Sequence, residues 1–413
     1  MGELVYVLGR DGEQFSAGAE YYAVAHGKAA VRGGLWPQWY SFASRAQIVE
    51  TDYCTIHRVG WPGTEYRSEY SLMYRHRLAM PIVNHLKDLP GPHVIHSFGT
   101  WGAAGILATR KLKKLGVDVK HVNTCYELMG PHTKAKLDNG VVRSSPFRYA
   151  RQRLIYEWVR RSTIPIEKNA YRESDAVVVN YERLRDLIHS EYDESINVVN
   201  LPYAAATAFD PLDSTSEQPA AVAGLQSKDG PLIVATSRHM PRKGVDVLIR
   251  ALARVRDDGH AFRAVLVGTG QLLEAHRQLV SELGLADRVA LPGRVPTVGA
   301  YLRHADIFSL PSLAEGSGSM SVLEALQYGV PVVSSAVDGM TEDLTDGVDA
   351  VLVETGSVED LHRGLSALVT DPALRERLGK AGNALYERRF SADAATVALI
   401  DFYAGLGLKP TRS

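Results

Sequence analysis

Short apolar runs alternate with stretches of helical period along almost the whole chain. In the first half the apolar runs predict strands at 4–8, 93–96, 119–123 and 176–179. Spacings of three and four residues predict helices at 19–31, 101–115 and 149–173, the last interrupted by Pro165. In the second half strands are predicted at 232–236, 263–267, 307–310, 331–334 and 350–353. Helices fall between them at 244–256, 271–283 and 321–328, and two more follow near 372–388 and 392–405. Such alternation builds parallel sheets with helices on both faces, so the expected fold class is α/β.

Residues 203–230 break the pattern. They are rich in Ala, Ser, Pro, Asp and Gly without periodicity and read as a linker. The expected domains are 1–205, a linker at 206–230, a second unit at 231–390, and a terminal helix in 391–413 that packs back on the first unit. No repeat of solenoid period interrupts this picture.

Composition changes it little. At 413 residues the chain is too long for one ordinary core. Hydrophobic and charged contents of 45% and 23% are those of a globular protein. A formal net charge of -1 gives no pull toward nucleic acid or an anionic membrane. The two cysteines, Cys54 and Cys125, make neither a disulfide framework nor a zinc spacing and suit a reducing compartment. The N-terminus opens on an apolar strand rather than a leader, and no apolar run approaches the roughly 20 residues of a membrane span. A cytoplasmic location is expected, as a monomer or a homo-oligomer.

Four constellations carry candidate chemistry. Ser237-Arg238-His239-Met240-Pro241-Arg242-Lys243-Gly244 follows a strand and opens a helix, where open α/β sheets bind ligands. Arg238 and Lys243 there supply a planar fork and a point charge suited to a diphosphate, although a solvated basic loop reads the same way. Val267-Gly268-Thr269-Gly270 is a glycine turn between strand and helix, and it serves close packing or approach to a phosphate. It is not a dinucleotide fingerprint, because the third glycine position holds Leu273.

The third constellation is the most informative. Between Pro311 and Leu326 a strand ends in a loop of small residues, Glu315-Gly316-Ser317-Gly318-Ser319, and a helix begins near Ser319 or Met320. Free N–H groups at that helix start suit an anion. Glu315 and Glu324 would be repelled by a phosphate, so they read as acceptors for sugar or ribose hydroxyls, or else as plain loop and helix charges. The fourth, Ser16-Ala17-Gly18-Ala19-Glu20, places backbone N–H groups at another helix start or is a simple turn.

In this order the elements resemble the family-four retaining glycosyltransferases of the GT-B fold, the group of glycogen synthases and mannosyltransferases. The resemblance is strong over about 230–390. It runs from Ser237-Arg238 and Lys243-Gly244 through Val267-Gly268-Thr269-Gly270, Leu283-Gly284-Leu285-Ala286-Asp287-Arg288-Val289, Gly293-Arg294-Val295 and Ala305-Asp306 to the glutamate loop. Tyr328-Gly329-Val330-Pro331-Val332-Val333 and Asp346-Gly347-Val348 complete it. The N-terminal half matches weakly, through Gly18-Ala19-Glu20, His93-Val94-Ile95-His96 and Glu173-Ser174-Asp175-Ala176-Val177.

The resemblance implies two facing Rossmann-like domains with parallel sheets, an interdomain cleft and a nucleotide-sugar donor. It implies that Arg238 and Lys243 bind the donor diphosphate and that backbone at Arg294 and Val295 meets the base. Glu324 would take the ribose hydroxyls. Glu315, with backbone at Gly316, Ser317 and Gly318, would hold the sugar. Amides at Ser319, Met320 and Ser321 would cap the phosphate, with Gly268 nearby and Gly18 closing from the other domain. The sequence departs from the family pattern in two places. The family usually spaces its two glutamates one residue closer than Glu315 and Glu324 stand here. A histidine often found after the fourth N-domain strand is replaced by Tyr126, and His96 is a further polar candidate on the acceptor or sugar side.

Retaining transfer on this fold is thought to need no protein base and no metal. No nucleophile–base pair or metal cluster stands out in the sequence. The acceptor, expected to be a small molecule of secondary metabolism, would sit against the N-terminal half. There the aromatic run Leu35 to Phe42 reads as a loop forming an acceptor wall or lid, or as packing. Arg148, Arg151, Arg153, Arg160 and Arg161 on one helical segment read as a solvated face or as a draw for an anionic acceptor or lipid headgroup, and the balanced net charge leans against membrane docking. Rival readings are a sugar-nucleotide epimerase or hydrolase on the same fold, and a non-catalytic nucleotide-sugar sensor.

Overall fold

The computed structural model describes residues 2–13, 19–61, 74–138, 146–214, 217–226, 229–315 and 318–410. The chain divides into two compact units, Met1–Phe209 with Ala395–Ser413, and Asp210–Ala394.

The first unit is built on eight strands: β1 (Leu4–Val7), β2 (Gln38–Ala43), β3 (Gln47–Glu50), β4 (Thr55–Gly60), β5 (His93–Phe98), β6 (Val119–Thr124), β7 (Ala176–Val179) and β8 (Val198–Asn200). Their order in the sheet is β3-β4-β2-β1-β5-β6-β7-β8. All neighbours are parallel except the edge pair β3 and β4. Successive strand residues face opposite sides, so β1 feeds two cores. Leu4, Tyr6 and Leu8 pack with Ala23, Ala29 and Ala30 of the helix Ala19–Arg32 and with Leu399 and Tyr403 of the terminal helix Ala392–Gly405. Val5 and Val7 pack with Leu78, Ile82 and Leu86 of Tyr74–Leu86 and with Ala104, Ala108 and Leu112 of Gly102–Lys114.

Three segments differ from the reading of the sequence. The aromatic run expected as a loop is β2, paired in parallel with β1 on one side and β4 on the other. Trp39, Tyr40 and Phe42 are buried in it, so they are core residues and no lid. A strand covered on both faces loses the polar-apolar alternation that would reveal it, and Pro37 sits just outside it, where a missing N–H breaks no ladder bond. The helix expected to break at Pro165 runs unbroken from Pro146 to Glu173. Pro165 and Arg161, the residue four positions earlier whose carbonyl gets no N–H from the proline, are both exposed. The expected linker contains a short 3-10 turn at Ala206–Phe209 and one helical turn at Ala220–Ala223.

The second unit has six strands: β9 (Leu232–Thr236), β10 (Arg263–Val267), β11 (Val289–Gly293), β12 (Ile307–Leu310), β13 (Val332–Ser335) and β14 (Ala350–Val353). All are parallel, in the order β11-β10-β9-β12-β13-β14. The sheet is wound outward from β9 in one direction and from β12 in the other. The amphipathic helix Val245–Asp257 lays Val245, Leu248, Ile249, Leu252 and Val255 on it. Between the carboxyl ends of β9 and β12 the winding reverses, and such a switch point leaves a crevice outside the sheet where α/β proteins hold ligands.

Candidate functional site

Because every strand of the second unit points the same way, the segments after β9, β10, β11, β12 and β13 emerge at one edge. The predicted residues Arg238, Lys243, Gly268, Arg294, Val295, Glu315, Gly318, Ser319, Met320, Ser321 and Glu324 all lie on these segments or the helix that follows β12. Gly18, Gly316 and Ser317 lie outside the described residues.

The centre of the edge is an ion pair. The Lys243 ammonium donates to both oxygens of Glu315, at 2.5 Å and 2.7 Å. Their side chains are 12% and 3% exposed. The buried Ser312 hydroxyl donates to the same carboxylate. The Glu315 amide donates to Asp338 in the loop after β13, at 2.7 Å. Burial pushes the Lys243 ammonium below its ordinary range, and Glu315 pulls it partly back. Arg242 and Arg238 press in the same direction as burial, which places both positive charges within electrostatic reach of Lys243. An ammonium has three donors, and Glu315 takes two of them.

Backbone geometry fixes this arrangement. Gly244, at φ 58, turns the chain from the basic loop into its helix. A Cβ there would stand 2.0 Å from the Pro311 carbonyl oxygen, so the loop after β9 lies directly on the loop after β12. The Arg242 carbonyl accepts from the Leu313 amide at 2.8 Å, and the Arg242 side chain donates to the Ala314 carbonyl at 2.9 Å. On the other side, a Cβ on Gly268 would stand 1.8 Å from the Ser237 carbonyl oxygen. The Gly268 amide donates to the Gly293 carbonyl at 2.9 Å, and the His239 amide to Thr269 at the same distance. The glycine turn therefore serves close packing of three loops. Arg238 and Arg294 are exposed at the edge, and Val295 is half-buried.

The helix Met320–Gln327 follows Glu315 in the chain, with Ser319 as its N-cap residue. The Ser319 and Ser321 hydroxyls hydrogen-bond each other at 2.9 Å, and Ser319 caps no amide. The first N–H groups of a helix have no intrahelical partner and attract anions. Glu324 is half-buried one turn further on.

The sequence reading of Glu315 as a sugar acceptor meets a carboxylate already bound to Lys243 and Ser312. The sequence signals missed Ser312 and Asp338. Ser312 was visible only as a small residue in the loop, and nothing near Asp338 connects it to position 315. His239 and His276 form a further buried contact under the basic loop, Nδ1 to Nδ1 at 2.8 Å. Burial pulls His239 down to about 4.

The two remaining candidates, His96 and Tyr126, belong to the first unit. His96 is fully buried, with Nδ1 against the Tyr403 hydroxyl at 2.7 Å and Nε2 against the Thr124 hydroxyl at 2.6 Å. Both ring nitrogens are occupied, and the ring stacks on Phe98, so His96 is held as a core group. Tyr126 stacks on Tyr22 with ring centroids 4.5 Å apart, and its buried hydroxyl has no partner among the described residues.

Two buried histidines, His96 and His121, and the half-buried His26 make the first unit acid-sensitive. Burial holds His26 down at about 4, His121 at about 3 and His96 well below its usual range. Their folded pKa values lie below the unfolded value, so their contribution is present above about pH 6.5 and is lost as pH falls toward 4. Glu167, raised to about 7 by burial, opposes this as a single group. Calorimetry between pH 7 and pH 4.5 is expected to show Tm falling by roughly 10 °C. An unchanged Tm would mean that these rings are not buried in the neutral form.

Comparison with known proteins bears on the second unit above all. The glycosyl transferases group 1 family matches residues 219–384. The chain is 28% identical over 378 residues to the GDP-mannose-dependent alpha-(1-6)-phosphatidylinositol monomannoside mannosyltransferase of Mycolicibacterium smegmatis, covering 85% of this chain and 89% of that enzyme. It is 33% identical over 229 residues to the D-inositol 3-phosphate glycosyltransferase of Kribbella flavida, covering 52% of this chain and 53% of that enzyme. In fold it is similar to sucrose-phosphate synthase from Thermosynechococcus elongatus, with a TM-score of 0.74 at 18% identity over 98% of this chain and 99% of that one. Among the described residues no helix is long and apolar enough to cross a membrane.

Proposed function

The chain is a glycosyltransferase of group 1 with the GT-B fold, and from that premise we propose that it moves a sugar from a nucleoside-diphosphate sugar to an acceptor hydroxyl with retention of configuration. The observation that carries this reading is the Lys243–Glu315 pair at the switch point, with Arg238 exposed beside it. A buried ammonium with one donor to spare is placed for a diphosphate oxygen. Arg238 supplies a second cation where it can follow the leaving group.

In the proposed step the acceptor oxygen bonds to the anomeric carbon on the face from which the diphosphate departs. The bond from that carbon to the phosphate oxygen breaks, and the acceptor proton passes to that phosphate oxygen. The protein positions the reactants and stabilises the charge growing on the diphosphate. Lys243 and Arg238 do this through their cations, and the amides at Ser319, Met320 and Ser321 through the start of their helix. The Glu324 carboxylate takes ribose hydroxyls. No metal is required in this scheme, because two cations and a helix start meet the phosphates.

For the acceptor we propose a small polyhydroxylated ring. The names of the relatives support this class, since one specifies inositol phosphate and another a phosphatidylinositol mannoside. The donor base follows from a thermal-unfolding series with UDP, GDP, ADP and TDP, each with and without EDTA. A diphosphate at about 100 times its Kd is expected to add roughly 2.7 kcal/mol, and the stabilising nucleotide identifies the base. Stabilisation that disappears in EDTA would refute the metal-free scheme. Donor consumption that proceeds equally with and without any acceptor would favour hydrolysis or epimerisation over transfer.

A further inference from the structure

The helix Pro146–Glu173 buries Val159, Thr163, Glu167, Ala170 and Tyr171. Its opposite side is not uniformly polar. Phe147 is 80% exposed, Leu154 73% and Trp158 46%. At about 100° per residue these three positions fall within roughly 40° of one another, directly away from the buried row. Arg151 and Arg161 are exposed on the same arc, about 40° to either side of Phe147, while Arg148, Arg153 and Arg160 are exposed roughly 100–140° away from it. From 146 to 164 five arginines stand against one carboxylate, Glu157, which pairs with Arg160 at 2.9 Å and Arg161 at 3.6 Å. The whole chain, by contrast, is close to neutral.

A merely solvated face has no use for three large apolar side chains in line. A soluble polyanion would engage the arginines and leave that line in water. A second copy meeting this one face to face would cover the line but bring arginines against arginines. A surface that is anionic outside and apolar just beneath satisfies both sets at once. We propose that this face docks the protein on an anionic lipid bilayer. Phe147, Leu154 and Trp158 enter the boundary between headgroups and acyl chains, and the arginines meet the lipid phosphates. The inference does not depend on the donor reading, since docking needs no sugar nucleotide. It places an acceptor that is itself lipid-linked within reach of the enzyme.

The test is co-sedimentation of the full chain with vesicles of phosphatidylcholine alone and of phosphatidylcholine with about one third phosphatidylglycerol. Affinity is expected to be at least tenfold higher for the anionic vesicles and to fall as salt rises. Arg151→Glu with Arg161→Glu, and separately Phe147→Ser with Leu154→Ser, should each weaken vesicle binding about tenfold or more, with the unfolding temperature unchanged. Equal affinity for both vesicles, or none for either, overturns the proposal. So does binding that needs the arginines but ignores the Phe147 and Leu154 changes, which marks a polyanion site. A dimer in solution that the Phe147 and Leu154 changes dissolve overturns it in favour of a second copy.

Discussion

Arg238→Ala is expected to lower kcat by about 10²–10³-fold, which is the loss of roughly 3–4 kcal/mol of transition-state stabilisation. The residue is exposed after β9 and fixes no core group, so its removal should leave the unfolding free energy within about 1 kcal/mol of the parent. Lys243→Ala should cost at least as much turnover. The two differ in their side effects, because Lys243 is also half of a buried ion pair. If both cations act on the leaving diphosphate, KM for the donor should change less than kcat, since an interaction made mainly in the transition state appears in the rate. Steady-state kinetics with the donor named by the nucleotide series decides the matter. Near-normal kcat in both variants would remove the diphosphate role from this loop.

Glu315→Ala is expected to be the most destabilising single change at the site. It strands the Lys243 ammonium among groups that leave it 12% exposed, beside Arg242 and Arg238. Breaking a buried pair from one side costs about 3–5 kcal/mol, which in a unit of this size lowers Tm by roughly 10 °C. The double change Lys243→Met with Glu315→Leu removes both charges and fills the space. It should recover most of that stability, because an apolar pair of similar volume is often as stable as the ions it replaces. It should recover no turnover. Stability and activity then separate, and the pair is shown to be kept for its charge rather than its contribution to folding. A double variant as unstable as Glu315→Ala would mean that Glu315 matters through Ser312 and Asp338 instead.

The same geometry revises the division of labour within the loop. Glu315 itself points into the basic loop, where it holds Lys243. Sugar hydroxyls meeting Glu315 would have to share a carboxylate that already accepts from an ammonium and a hydroxyl.

The strands β1, β5, β6, β7, β9, β10, β12, β13 and β14 were legible in the chain as short apolar runs between periodic stretches, because a buried parallel strand must be apolar on both faces. The candidate cations and the glutamate loop were legible too, since charges and small residues at the end of an apolar strand have few other uses. The strand β2 was not: its aromatic residues are equally at home in a loop and in a core, and only the pairing of Trp39 with Tyr6 and Ile56 decides between them. Nor was the fate of the polar groups. His96 looked like a strand-end ligand, and the terminal helix, hundreds of residues away in sequence, supplies the Tyr403 hydroxyl that occupies it. Glu315 and Lys243 are 72 positions apart and were assigned separate tasks, but the reversal of winding between β9 and β12 makes them partners. The sequence by itself determined which segments must be buried and which residue types could meet a diphosphate, because burial and charge are local properties of side chains. Only the tertiary structure decided which buried groups satisfy one another, because a hydrogen bond or an ion pair needs two atoms within about 3 Å, and strand order alone brings distant loops that close.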